Sequence, residues 1–224
     1  MGKNKLNHFA ENETFPMFIQ PSIEEVKSGY HLQNNWSSQL FGNNNPIIIE
    51  LACGKGEYTV GLARKYPDKN FIGIDRKGAR MWRGMKTAVE ESLPNVAFLR
   101  TRIDFLGQCF GKQEISEIWI TFPDPQIKNK KSNSRLTAPY FLNLYASILT
   151  PDGKVHLKTD NMDFYRFTLA KIREVNHQVL IQTQDLYNSE VRNDASDIQT
   201  FYETKFREKG LTIKYIVFTL NTVN

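Results

Sequence analysis

Two short turns hold most of the residues that could do chemistry. The first is Glu50-Leu51-Ala52-Cys53-Gly54-Lys55-Gly56-Glu57, which follows the apolar run Ile47-Ile48-Ile49. Gly54 and Gly56 permit a tight turn and a close approach of backbone to ligand. A dinucleotide site would call for a third glycine three residues further on, where Thr59 stands. The Gly-x-x-x-x-Gly-Lys-Ser/Thr spacing of a phosphate loop is absent as well, so the turn predicts a ligand without phosphate. Asp75 closes the next apolar run 19 positions after Gly56, where a carboxylate can take both ribose hydroxyls of an adenosine. The second turn is Thr121-Phe122-Pro123-Asp124-Pro125-Gln126-Ile127-Lys128, in which two prolines fix the backbone around Asp124. It reads either as a rigid turn with Asp chosen for its turn propensity or as a carboxylate held ready for use. Lys128, Lys130, Lys131 and Arg135 follow at once. They are either a solvated charged loop or a set of phosphate contacts that would fix register without reading sequence.

Both turns need a frame that brings them to one place. Ile47 to Leu51, Phe71 to Ile74, Val96 to Leu99, Ile118 to Ile120 and Val155 to Leu157 read as buried strands, and Leu211 to Leu220 as a last one. Tyr58 to Tyr66, Ala79 to Glu91 and Ile198 to Glu208 read as helices, as does the stripe Tyr165, Leu169, Ile172. Pro67-Asp68 and Pro94-Asn95 end the first two of these. Alternating strands and helices predict a single doubly wound, mostly parallel α/β sheet of seven strands over residues 46–224, with ligands at the carboxyl ends of the strands. Residues 1–45 show no period and read as an N-terminal extension, partly flexible, whose first 20 residues have the composition of a segment that orders on RNA.

Composition narrows the class. A chain of 224 residues with 40% hydrophobic content can bury one substantial core. No run approaches the roughly 20 apolar residues of a membrane span, and Met1 to Phe9 lacks a signal-peptide segment, so a soluble cytoplasmic protein is expected. Cys53 and Cys109 predict free thiols rather than a disulfide framework. His8, His31, His156 and His177 lack metal spacing, so no metal is expected. Trp82, Met81 and Met85 read as helix packing. The net charge of +5 leans toward a polyanionic partner only if the cations cluster beside a site.

The order acid, glycine, glycine, acid resembles the class I methyltransferases, whose cationic sulfonium cofactor tolerates carboxylates nearby. From about Pro46 to the C-terminus the chain resembles, more narrowly, the bacterial tRNA (guanine-N7)-methyltransferases. Four blocks carry the likeness in order: Glu50 to Glu57; Phe122-Pro123-Asp124-Pro125 with Lys128 and Arg135-Leu136; Lys158-Thr159-Asp160-Asn161; and Thr200 to Phe206 before Gly210. The resemblance implies S-adenosyl-L-methionine as cofactor, contacted by Glu50, Gly54, Gly56, Asp75 and Asp124, with Arg102 or Asp104 at the adenine. It implies Asp124 as the catalytic residue. Lys128, Lys130, Lys131, Arg135, Asp160, Thr200, Phe201, Tyr202 and Glu203 would hold the substrate, and the target would be the guanosine at position 46 in the variable loop of tRNA. The chain departs from the pattern at Ala52, where the family has its first motif glycine, at Gln126, which replaces an aromatic, and at Asn133 and Ser134, which replace cations. Guanine offers nitrogen 1 and its 2-amino group as adjacent donors, which Asp160 or Glu203 could accept. Two other readings stay open: a class I methyltransferase acting on a small molecule or protein, and a catalytically inactive RNA-binding relative. A monomer and a homodimer fit equally well.

Overall fold

Strand β2 (Ile47–Leu51), buried along its whole length, lies at the centre of the sheet. The computed structural model describes residues 2–221. On one side of β2 come β3 (Asn70–Asp75), β4 (Val96–Arg100) and the two-residue edge strand β1 (Phe18–Ile19). On the other come β5 (Ile115–Thr121), β6 (Leu149–Thr159), β8 (Lys214–Thr219) and β7 (Gln178–Thr183), giving the order β1-β4-β3-β2-β5-β6-β8-β7. Every pairing is parallel except those of β8, which runs antiparallel to both neighbours. The chain grows outward from β2 in one direction through β3 and β4, and then in the other through β5 and β6. This reversal opens a crevice at the carboxyl ends of β2 and β5. Because Leu51 pairs with Ile120, Ala52 leaves the sheet beside Thr121, the last residue of β5.

Period-2 alternation divides the apolar residues between two layers. Ile47, Ile49, Leu51, Ile72, Ile74, Ile118 and Ile120 face one side. They are covered there by α2 (Ile23–Lys27), α5 (Leu106–Cys109), α6 (Pro139–Ile148) and α7 (Met162–Glu174). Ile48, Phe71, Phe98 and Trp119 face the other side, under α3 (Glu57–Lys65) and α4 (Gly78–Glu90). The latter cluster includes Met81 and Met85, as helix packing requires. Cys53 and Cys109 are both free and buried.

The N-terminal residues correct the sequence reading. Helix α1 (Gly2–Asn12) lies against α4. The Asn12 side chain donates to the Gly78 carbonyl at 3.0 Å, and Glu11 accepts from both Trp82 and Lys86 at 2.7 Å. The His8 ring stacks on Trp82 with centroids 3.8 Å apart. Beyond it β1 extends the sheet to eight strands, one more than expected, and Val26, Tyr30, Leu32 and Trp36 enter the core. Trp36 opens a π-helical turn (Trp36–Phe41); its indole donates to the Cys109 carbonyl at 2.8 Å and stacks on Phe110. Residues 2–45 thus pack against α4, the sheet edge and the core. Their apolar anchors are too widely and irregularly spaced to show a period.

Smaller differences have local causes. The expected helix from Ile198 to Glu208 begins three residues late, as α9 (Phe201–Glu208), because Thr200 and Glu203 form the capping box at its start, and a separate short helix, α8 (Asp194–Asp197), precedes it. Helix α6, with Pro139 in its first turn, and the strand β7 were not anticipated; the alternating burial of β7 leaves only half of it apolar-facing.

If residues 2–45 belong to the core, Trp36→Ala should lower the unfolding free energy by about 3–5 kcal/mol, the usual loss for a fully buried tryptophan. Urea denaturation checks this, and a loss below about 1 kcal/mol would return the segment to the periphery.

Candidate active site

The crevice is organised around the buried carboxyl of Glu50, near the end of β2. One of its oxygens accepts the Thr121 hydroxyl from the end of β5. The other accepts the Thr59 hydroxyl and, at 2.9 Å, the Thr59 backbone N–H in the first turn of α3. Burial is the main influence on this acid and lifts it to about 7, against the opposing pull of its Thr121 and Thr59 hydrogen bonds. Between Glu50 and Thr59 the chain makes the glycine turn. Gly54 has φ +58° and open space where a side chain would stand, so its backbone faces the cleft. At Gly56, φ +70°, a Cβ would lie 2.4 Å from the Phe98 ring and 3.3 Å from the Gly84 backbone, so only glycine lets the turn settle onto α4. Ala52 is also left-handed, at φ +57°. An alanine carries about 1–2 kcal/mol of strain there that the family's usual glycine would not.

A cleft of about 280 Å³ is lined by Glu50, Ala52, Gly54, Asp75, Asp124, Thr200 and Tyr202, among others. The glycine turn and the Pro-Asp-Pro loop therefore open into one space. Ala52, Asp75, Arg76 and Gln126 are shared with an adjoining recess of about 500 Å³ that holds Arg102, Asp104 and Tyr140. Asp75 stands at the junction. Its two oxygens each accept one backbone N–H, from Gly54 at 3.1 Å and Lys77 at 2.9 Å. A carboxylate has about four acceptor positions, which leaves capacity for two ribose hydroxyls. The extended shape and the open backbone at Gly54 suit a nucleoside; the lining carries four carboxyls, Glu50, Glu57, Asp75 and Asp124, and four cations, Lys55, Arg76, Lys77 and Arg80. Arg102 and Asp104 both face the adjoining recess, but the guanidinium grips Asp104 at 2.7 Å, so the pair presents itself as a unit.

The Pro-Asp-Pro loop is held in a strained shape. Phe122 and Gln126, at either end, have φ +48° and +46°. Asp124 is exposed, and one of its oxygens accepts the Gln126 N–H at 3.0 Å in an Asx turn. Phe122 donates its N–H to the Lys158 carbonyl at 2.9 Å. Arg135 corrects the sequence reading: it is only 7% exposed, and it donates to the carbonyls of Pro125 and Gln126 while stacking on Phe167. It braces the loop from behind, so it cannot be one of the cations at the rim. Lys128, Lys130 and Lys131 are exposed, the last two on a 3₁₀ turn (Asn129–Ser134).

The opposite wall is the arm from Asp194 to Glu203. Thr200 and Tyr202 line the cleft, and Phe201, exposed beside it, has the ammonium groups of Lys55 and Lys205 over its ring at 4.4 and 4.2 Å. Glu203 does not meet the expectation of a free guanine acceptor. It is fully buried, 2.9 Å from Lys158, and also accepts the Tyr187 hydroxyl at 2.7 Å and the Thr200 N–H. Its carboxylate is committed inside the protein. Asp160 follows β6, half-buried, with its backbone carbonyl accepting from Lys214; it is not among the residues lining the cleft. Sequence reasoning missed Thr121 and Thr59 as partners of Glu50, and it missed Arg76, Lys77 and Arg80, which line the cleft just after Asp75. The cations were visible as a cluster beside a predicted strand end; the threonines carried no signal. Among the described residues no group of three or more His, Cys, Asp or Glu side chains could hold a metal.

Comparison with known proteins agrees with this geometry. A family model described as "Putative methyltransferase" matches residues 44–216. The tRNA (guanine-N(7)-)-methyltransferase of Christiangramia forsetii is 52% identical over 97% of this chain and 98% of its own length. That of Porphyromonas gingivalis is 48% identical over 93% of this chain and 86% of its own length. Among solved structures, the 16S rRNA methyltransferase KamB superposes with a TM-score of 0.63 at 13% identity, over 82% of this chain and 92% of its own, a likeness of fold alone. The alignment to the relatives takes in the N-terminal residues that the family model omits. With a family model over most of the chain and relatives matching nearly end to end, the chain belongs to the tRNA (guanine-N7)-methyltransferase family, which uses S-adenosylmethionine.

Proposed function

We infer that this protein transfers a methyl group from S-adenosylmethionine to nitrogen 7 of a guanosine in tRNA, at position 46 of the variable loop. The observation that carries the reading is the single cleft shared by the glycine turn and the Asp124 loop, together with relatives that bear this name over nearly the whole chain. S-adenosylmethionine, when bound, supplies a methyl group on a positively charged sulfur. Glu50 and Asp75 are the groups placed to favour that charge and to take the ribose hydroxyls, and the Arg102 and Asp104 recess would receive the adenine.

Nitrogen 7 carries an in-plane lone pair and no proton, so no base is needed to make the nucleophile. The work left to the protein is alignment, which can supply several kcal/mol and up to roughly 7–11 in favourable cases. Asp124, exposed at the cleft between two prolines, is placed to stabilise the positive charge that moves onto the guanine ring. Thr200 and Tyr202 would bound the nucleotide on the opposite side. Lys128, Lys130 and Lys131 would contact phosphates. No helix among the described residues is long and apolar enough to cross a membrane, and action on tRNA would place the enzyme in the cytoplasm.

Incubation with labelled S-adenosylmethionine and unmodified tRNA, followed by nucleoside analysis, should yield 7-methylguanosine. Label appearing only in protein or small molecules would reject the reading. In the same assay Asp124→Asn should lower kcat/KM at least about tenfold, and a rate within a factor of about two of wild type would exclude a charge-based role.

Glu50 makes binding pH-dependent. Its folded value of about 7 lies above the ordinary 4.5, so the folded state holds a proton that the unfolded chain has lost. The contribution to stability is complete below the ordinary value and falls as pH rises through the folded one. A cationic ligand favours the ionised form, so cofactor affinity should rise between pH 6 and pH 8, on the order of tenfold. Calorimetry of wild type against Glu50→Gln, in which the rise should vanish, checks the sign.

If Lys130 and Lys131 each meet a phosphate, replacing both by Gln should reduce the slope of log affinity for tRNA against log salt by about 1.4, at about 0.7 per contact. An unchanged slope would leave them as a solvated loop.

A further inference from the structure

We propose that Lys158 is a positioning residue whose buried ammonium, paired with Glu203, clamps the Asp194–Glu203 arm against the end of β6 and so sets the face that this arm presents to the target nucleotide. The inference rests on the tRNA reading above, because it concerns how the wall of that site is held.

Lys158 is fully buried, an unusual place for a lysine. Its three ammonium hydrogens have three acceptors: the Ala195 carbonyl at 2.6 Å, the Ile198 carbonyl at 3.2 Å and the Glu203 carboxylate at 2.9 Å. One side chain thus ties together the end of the sheet, the short helix α8, the extended stretch after it and the first turn of α9. The backbone of the same residue reaches the other wall, since its carbonyl accepts the N–H of Phe122, two residues before Asp124. The two walls of the cleft therefore meet at Lys158, and neither the side chain nor the carbonyl contacts the open space itself.

Glu203 carries the clamp to the surface of the cleft. While one of its oxygens holds Lys158 and accepts the Thr200 N–H, the other accepts the Tyr187 hydroxyl. In return the Glu203 N–H donates to the Thr200 hydroxyl oxygen at 3.2 Å. One of the two acceptor positions of that hydroxyl is thereby taken within the arm, which fixes Thr200 where it lines the cleft. Stability alone does not account for the arrangement. Replacing a buried ion pair by apolar groups of similar size is often neutral or stabilising. What apolar groups could not do is bind the Ala195 and Ile198 carbonyls and fix the non-helical stretch that delivers Thr200 and Tyr202.

The test compares Lys158→Met, the double variant Lys158→Met/Glu203→Gln, and Tyr187→Phe, which leaves both charges in place. For each, thermal unfolding, cofactor affinity by calorimetry, tRNA affinity by filter binding and the KM for tRNA are measured. Lys158→Met strands a buried carboxylate and should unfold at lower temperature, whereas the double variant recovers most of that loss. The double variant should nonetheless bind tRNA about tenfold or more weakly, with KM raised to match and cofactor affinity within about twofold of wild type, since misplacing binding groups by an ångström can cost a hundredfold. Tyr187→Phe should shift tRNA binding in the same direction by less. A double variant with wild-type stability and wild-type KM for tRNA would overturn the proposal, as would equal loss of cofactor and tRNA binding. Should the double variant not fold, a wild-type KM in Tyr187→Phe overturns it and a raised one supports it. Failure of the wild-type chain to methylate tRNA would instead sink the activity on which the clamp depends.

Discussion

The carboxyl of Glu50 is the constraint around which the rest of the site is arranged. Its two oxygens hold the end of β5 through Thr121 and the start of α3 through Thr59. The glycine turn must close between Glu50 and Thr59, and the Pro-Asp-Pro loop must begin one residue after Thr121. Any movement of one loop relative to the other would break a hydrogen bond to a group that has no water to replace it, a loss of about 1–3 kcal/mol. The same burial that makes the tie stiff lifts the acid to about 7. A cation bound beside it would shift that balance toward the ionised form.

Around this tie stand three of the seven non-glycine residues that adopt a left-handed backbone among the described residues. Ala52, Phe122 and Gln126 are left-handed without being glycine, and all three line the cleft. Such residues persist only where their surroundings over-determine them. Phe122 is held by the Lys158 carbonyl, Gln126 by the Asp124 oxygen on one side and Arg135 on the other. Asp124 is consequently exposed yet has little freedom, which is the state an electrostatic catalyst requires: reorganisation has been completed before the reaction begins.

Much of this was legible in the sequence. The apolar runs Ile47 to Leu51 and Phe71 to Ile74 fixed the strand ends, and a parallel sheet sends every strand's carboxyl end to the same edge, so the two turns had to converge. Residues 2–45 were not legible, because their anchors Phe18, Val26, Tyr30, Leu32 and Trp36 follow neither a helical nor a strand period. They bury themselves one at a time against surfaces made by distant parts of the chain. Helix α6 and strand β7 escaped for a related reason: what they face is decided by tertiary contacts and leaves little trace in local pattern.

The misread charges show where such reading ends. Arg135 and Glu203 lie in blocks with the right residue types, next to cations and aromatics that do face solvent, and both are buried. A motif gives chemistry and order along the chain, but it does not say whether a charged group points at a substrate or at the backbone that holds the substrate's neighbours. In a cleft walled by loops rather than by strands, the second task is as demanding as the first. Two groups at the cleft have a buried charge behind them: Asp124 has Arg135 through the carbonyls of Pro125 and Gln126, and Thr200, itself nearly buried, has Glu203 and through it Lys158. The opposite charges of Arg135 and Glu203 follow from what each must bind, a pair of carbonyl oxygens in one case and an ammonium with N–H and O–H donors in the other.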